Sequence, residues 1–141
     1  MNKTLRGYVS SSRIFNQVIP QRVQNIIIRQ YCISIGVDYS LSATEYNHPN
    51  SSRVLRSSIN ECFESNDING LVFYSMGQLS LNHTPWDLLY KLIIEGDSEL
   101  HFAVETSVVR TKEELDSIQR LSMLKKLVPH FHGADVYRAV K

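Results

Sequence analysis

Hydrophobic and polar positions change period several times along the chain. The changes divide it into alternating strands and helices. Leu5–Val9 is a short apolar run and predicts a first strand. A polar loop, Ser10-Ser11-Ser12-Arg13, follows. Val23, Ile26, Ile27, Tyr31 and Ile35 then recur at helical spacing, with Arg22, Asn25, Arg29 and Gln30 off the stripe. Pro20 suits the first helical position, where its missing N–H would have no partner. Gly36 suits the C-terminal stop. Val37–Ala43 alternates apolar and polar residues and predicts a second strand, buried on one face as at a sheet edge.

A second helix is capped by Ser51 or Ser52 and carries Val54, Leu55, Ile59, Cys62 and Phe63. Asn66 to Gly70 reads as a turn. Leu71–Tyr74 is an unbroken apolar run, as in a central parallel strand. Thr84-Pro85-Trp86-Asp87 predicts a helix start, with Thr84 as N-cap, Pro85 in the first position and Trp86 as a core anchor. That helix runs to Gly96. Leu100–Val104 predicts a fourth strand. Thr111-Lys112-Glu113-Glu114 is a capping box opening a last helix with Leu115, Ile118, Leu121 and Leu124 inward.

The order βαβαβαβα with right-handed crossovers predicts a three-layer α/β domain. Its sheet is mostly parallel and four-stranded, in the order 2-1-3-4, with helices on both faces. The expected division is a single domain over residues 1–128 and a tail over 129–141.

Composition narrows the function. The chain of 141 residues is 43% hydrophobic and 21% charged, which suits one globular domain. A formal net charge of +1 creates no global field for nucleic acid or anionic membrane, so any basic site is local. Neither partner is expected. No apolar run approaches the roughly 20 residues of a membrane span, and the first residues lack a signal-peptide apolar region. A cytoplasmic protein is the expectation. Cys32 and Cys62 are expected as small buried hydrophobes in a reducing compartment.

Candidate chemistry gathers where strands end. In open α/β sheets, ligands bind outside the carboxyl ends of the strands, at the switch point. In the 2-1-3-4 order that point lies beside strand one. Ser10, Ser11, Ser12 and Arg13 there offer hydroxyls, backbone N–H groups and a guanidinium to a phosphate or carboxylate. Gln17, Gln21 and Gln24 follow; the last two share a helix face, where an amide can bond a sugar hydroxyl or simply meet water. Glu45, Tyr46 and His48 follow strand two, Ser75 and Gln78 strand three, and Glu105 strand four. Ser12 as nucleophile and Glu45 as base form the expected catalytic pair. Ser10, Ser11, Arg13, Gln17, Gln21, Tyr46, Ser75 and Gln78 are the expected binding residues. Glu45 and Glu105, three strand spacings apart, are too distant for a glycosidase-type pair. No cofactor is expected, because neither GxGxxG nor GxxxxGK[ST] occurs. No metal site is expected either: His130 and His132 form a metal pair only if carboxylates join them.

Two family resemblances follow from these residues. Tyr8-Val9-Ser10-Ser11-Ser12, followed by Gln17, Gln21 and Gln24, resembles the opening of the serine recombinase catalytic domain. The resemblance implies a resolvase- or flavodoxin-like fold and puts Ser12 at the nucleophile position. The chain departs from that family where Ser10 stands for an arginine and where Gly77–Leu81 contains no arginine. Without guanidiniums to offset charge on a phosphodiester, recombinase chemistry is not implied. A second resemblance joins Arg6–Arg13, Val18–Asn25 and Leu41–Tyr46: these runs resemble the sporadic carbohydrate cluster family, over roughly Leu5 to Leu124. It implies a bacterial surface-polysaccharide (O-antigen type) pathway and supplies no catalytic residues. The expected ligand is an anionic sugar or sugar nucleotide, and the sequence leaves open whether any reaction occurs. The alternative is a non-catalytic, homo-oligomeric scaffold or regulator of a glycan enzyme, suggested by the wide Ile26-Ile27-Ile28 run.

Overall fold

A computed structural model describes residues 3–11, 14, 17–45, 53–79 and 84–127, with the backbone alone for 41–45 and 123–127. The sheet holds five strands in the order β2-β1-β3-β4-β5. These are β1 (Thr4–Ser10), β2 (Asp38–Glu45), β3 (Gly70–Phe73), β4 (Glu99–Phe102) and β5 (Ser107–Val109). The first four are parallel in the expected order, with β2 at the edge. The expected sheet of four strands lacks β5, which pairs antiparallel with β4. The turn between them, Ala103–Thr106, contains no Gly, Asn or Pro and places Thr106 at φ 49°. Three residues after an unmarked turn leave no strand signal of their own.

The helices are α1 (Gln21–Ile35), α2 (Arg53–Glu64), α3 (Trp86–Ile94) and α4 (Lys112–Leu127). Right-handed crossovers send α1 to one face and α2 and α3 to the other, where α4 joins them in the larger core. The larger core lies on the three-helix face: Leu71, Phe73, Leu100 and Phe102 pack under Leu55, Ile59, Leu89, Leu92, Leu115 and Ile118. Phe73 and Phe102 stack with centroids 5.2 Å apart. The smaller core joins Leu5, Val9, Val72 and Ala103 to Ile28, Tyr31 and Cys32 of α1.

Helix ends follow local chemistry in two cases. Gly36 takes the left-handed conformation at φ 73°, and Val37 N–H donates to the Cys32 carbonyl at 3.0 Å, a six-residue closing bond. The Thr111–Glu114 capping box forms: Glu114 N–H donates to Thr111 Oγ1 at 3.2 Å, and Thr111 N–H to Glu114 Oε1 at 3.1 Å. At α3 the expectation fails. Pro85, not Thr84, stands at the cap, without a side-chain cap bond, and the helix begins at Trp86. Trp86 is buried in the core as expected. The serines expected to cap α2 lie outside the described residues.

The main correction concerns α1. Tyr31 of the expected stripe is buried, but its buried companions are Gln24, Ile28 and Cys32, while Val23, Ile26, Ile27 and Ile35 are exposed. Ile26 is 52% exposed and Ile33 64%. Three consecutive isoleucines leave the apolar phase of a helix ambiguous. Two polar contacts decide the rotation instead. Gln24 bonds the end of β1, and Tyr31 Oη sits 2.6 Å from His101 Nδ1 on β4.

Cys32 and Cys62 are free and buried, one in each core. Burial pushes their thiols up, to about 11 and about 12, so both stay protonated and poorly nucleophilic near neutrality. Among the described residues no helix is long and apolar enough to cross a membrane.

Candidate functional site

The carboxyl edge of the sheet is held by a chain of polar contacts centred on Gln24, which is fully buried. Its amide donates to the Ser10 carbonyl at 2.7 Å and the Ile19 carbonyl at 2.8 Å. Its oxygen accepts from Ser10 N–H at 3.1 Å and from Gln78 Nε2 at 3.4 Å. A glutamine supplies both donors and acceptors, so one side chain satisfies both backbone groups of the strand-ending serine. The β1 end is thereby tied to the start of α1.

A second set holds the turn after β3. Residues Met76–Gln78 form one 3-10 turn with Ser75 as its cap. Ser75 Oγ accepts from Gly77 N–H at 3.0 Å and donates to Glu105 Oε2 at 2.8 Å. Gln78 Oε1 accepts from Ser75 N–H at 3.2 Å. The other Glu105 oxygen accepts from Met76 N–H at 3.1 Å. The carboxylate after β4 therefore seats at the first turn after β3, where free N–H groups favour an anion.

The structure brings several expected residues together. Ser10 and Glu45 are register partners across β1 and β2, so their backbones lie about 4.8 Å apart. Ser75 and Gln78 reach the same edge from β3, on the other side of β1. The polar atoms of Ser75 and Gln78 are engaged within the edge itself. Ser10 is buried and Ser11 half-buried. Gln17 is exposed and exchanges backbone hydrogen bonds with Ile14 at 2.7 and 3.1 Å. Gln21 is half-buried in the first turn of α1. Ser12, Arg13, Tyr46 and His48 lie outside the described residues, as does the side chain of Glu45. Gln24 is the residue sequence reasoning weighed wrongly: it is neither solvated nor available to a sugar. Its helical spacing to Gln21 carried no sign of this, because its partners are backbone groups of another element.

Comparison with known proteins bears on the fold. The chain resembles the N-terminal catalytic domain of TP901-1 integrase. The two superpose with a TM-score of 0.56 at 9% identity, over 89% of this chain and 99% of that one. At that identity the likeness shows a resolvase-like α/β fold and nothing about chemistry. No protein-family model and no curated protein matches the chain, so nothing beyond the sequence runs supports the carbohydrate-cluster resemblance.

The opposite, amino edge holds a cluster that the pattern did not predict. Glu99, 7% exposed, opens β4. Its carboxylate accepts from Lys3 Nζ at 3.0 Å and from Arg110 Nε, and lies 3.4 Å from His101 Nε2. Burial alone would raise this carboxyl, but the hydrogen bonds from Arg110, Lys3 and His101 outweigh it and hold it down to about 2. His101 is shifted down, chiefly by burial. These two partners suit the tautomer protonated at Nε2, which donates to Glu99 and accepts the Tyr31 hydroxyl at Nδ1.

This cluster predicts acid sensitivity. Glu99 is shifted below its ordinary 4.5, so its contribution is complete above pH 4.5 and disappears as pH falls towards 2. Lys3 and Arg110 are half exposed, which screens the pair and leaves roughly 2 kcal/mol. His101 adds an earlier loss below its ordinary 6.5, as the unfolded chain takes up a proton that the buried ring resists. Urea unfolding of wild type and Glu99→Gln should converge between pH 4.5 and 2. Parallel curves would mean that the carboxylate contributes nothing.

Proposed function

We propose that the protein binds an anionic carbohydrate intermediate, a sugar phosphate or sugar nucleotide, at the carboxyl edge of its sheet, in a bacterial surface-polysaccharide pathway. The observation that carries this reading is the placement of the β1 end. Ser10 leaves the sheet at the switch point, level with Glu45 and clamped by Gln24. The serine–arginine run begins from a braced stem, which lowers the ordering cost of ligand binding. Arg13 holds the anion, Ser10–Ser12 hydrogen-bond it, and Glu45 accepts a proton if a reaction follows. The sequence runs that resemble the carbohydrate-cluster family support the ligand class.

Calorimetry with a panel of sugar phosphates and sugar nucleotides tests this. Binding should weaken at least tenfold in Arg13→Ala, the loss expected of one charge-assisted contact. Equal affinity in both proteins would remove Arg13 from the site. Nicking of supercoiled DNA would replace the reading with a recombinase-like one.

The exposed apolar side of α1 favours a second reading, a scaffold that pairs through this helix. Val23, Ile26, Ile27 and Ile33 line that side. Ile28 is fully buried, so a charge there would unfold the protein rather than report on assembly. The informative variant is Ile33→Asp. Sedimentation should show wild type as an oligomer and Ile33→Asp as a folded monomer; a monomeric wild type at all concentrations ends this reading.

A further inference from the structure

The amino edge carries a surface cavity of about 340 Å³ lined by Lys3, Asn69, Asp97, Ser98, Glu99 and Arg110. Four segments meet there: the residues before β1, β3 and β4, and the residue after the antiparallel β5. Glu99 spends its carboxylate on Lys3, Arg110 and His101. Two groups remain unspent among the described residues. The terminal nitrogens of Arg110 make no hydrogen bond, since only Nε reaches Glu99, although the Glu114 carboxylate also acts on the guanidinium. The Asp97 carboxylate makes no hydrogen bond either. Asp97 is exposed and stands at φ 50° in the turn before β4.

The charges in this lining cancel: Lys3 and Arg110 against Glu99 and Asp97. A lone anion drawn to Arg110 meets two carboxylates, and a lone cation drawn to Asp97 meets an ammonium and a guanidinium. A molecule carrying both signs satisfies both unspent groups. The paired terminal nitrogens of a guanidinium match the two oxygens of a carboxylate or phosphate. Glu99 pins both Arg110 and Lys3, so the cationic side is ordered before a ligand arrives. A purely structural ion-pair cluster accounts for the partners of Glu99, but it assigns no role to Asp97 or to the outer end of Arg110.

We infer that this amino-edge cavity is a second binding site, for a small zwitterion with one oxyanion group and one ammonium. Arg110 and Lys3 take the oxyanion, and Asp97 takes the ammonium. The site stands apart from the carboxyl-edge reading, and neither depends on the other.

Amide chemical shifts of the full chain test it at low ionic strength. Phosphoethanolamine and β-alanine supply the oxyanion as phosphate and as carboxylate, and their relative affinities decide which is preferred. Inorganic phosphate and ethylamine supply the separate halves. At least one zwitterion should give saturable shifts at Asn69, Ser98 and Arg110, with each half at least tenfold weaker. Asp97→Asn changes an exposed side chain with no bonding partner, so it should fold; Arg110→Gln removes one of the two cations on Glu99, so its amide spectrum must first match that of the wild type. Each should weaken binding at least tenfold. Arg13→Ala should leave it unchanged. No saturable shift up to millimolar concentration, phosphate alone binding as well as the zwitterions, or full binding by Asp97→Asn would each overturn the inference.

Discussion

Gln24→Leu should lose roughly 3–5 kcal/mol of unfolding free energy, although the substitution nearly preserves volume and adds a hydrophobic side chain. Leucine removes the partner that Gln24 gives to Ser10 N–H and to the Ser10 and Ile19 carbonyls, at a fully buried side chain. Each orphaned group costs about 1–3 kcal/mol. The gain from burying extra apolar surface, about 1 kcal/mol, does not offset this. Urea unfolding reads the loss, and hydrogen exchange at the Ser10 amide should quicken before the rest of β1. Gln21→Leu, three residues earlier and half-buried, should stay within about 0.5 kcal/mol of wild type. Equal effects of the two substitutions would mean that the clamp does not hold the β1 end.

Gly70→Ala should cost at least about 3 kcal/mol and sharply reduce the yield of folded protein. Gly70 begins β3 and is the register partner of both Leu5 and Glu99. A Cβ there would stand 2.1 Å from the Glu99 carbonyl oxygen and 2.9 Å from its amide nitrogen. Both are backbone atoms, so no rotamer change relieves the clash. The two central strands must part by roughly 1 Å to restore ordinary contact. The adjoining bond from Glu99 N–H to the Asn69 carbonyl, 3.1 Å long, weakens with them. Gly36→Ala provides the contrast. Gly36 has open space around it and only its left-handed backbone to penalise a side chain, at about 1–2 kcal/mol. Thermal unfolding should therefore rank Gly70→Ala well below Gly36→Ala, and the reverse order would show that β3 and β4 can separate freely.

The two positions show where sequence reading stops. Gly70 reads as the end of a turn before a strand, and nothing local says that another strand crosses its α-carbon so closely. Gln24 reads as one of three spaced glutamines. In both cases the deciding partner lies in another element, reached only when the sheet closes.

Local pattern was enough for the kind and order of β1 to β4, for α1 to α4, and for the left-handed stop at Gly36 and the capping box at Thr111. Those features depend on side-chain period and on bonds within a few residues. It also placed Ser10 level with Glu45, because parallel strands joined by right-handed crossovers leave few orders to choose from. The assembled fold decided which side of the Ile26-Ile27-Ile28 run faces the sheet, since Gln24 and Tyr31 turn the helix towards polar partners on β1 and β4. It also decided the fifth strand, whose three residues gain hydrogen bonds only beside β4, and the burial of Glu99, whose charge is tolerated only because Lys3 and Arg110 arrive from distant parts of the chain.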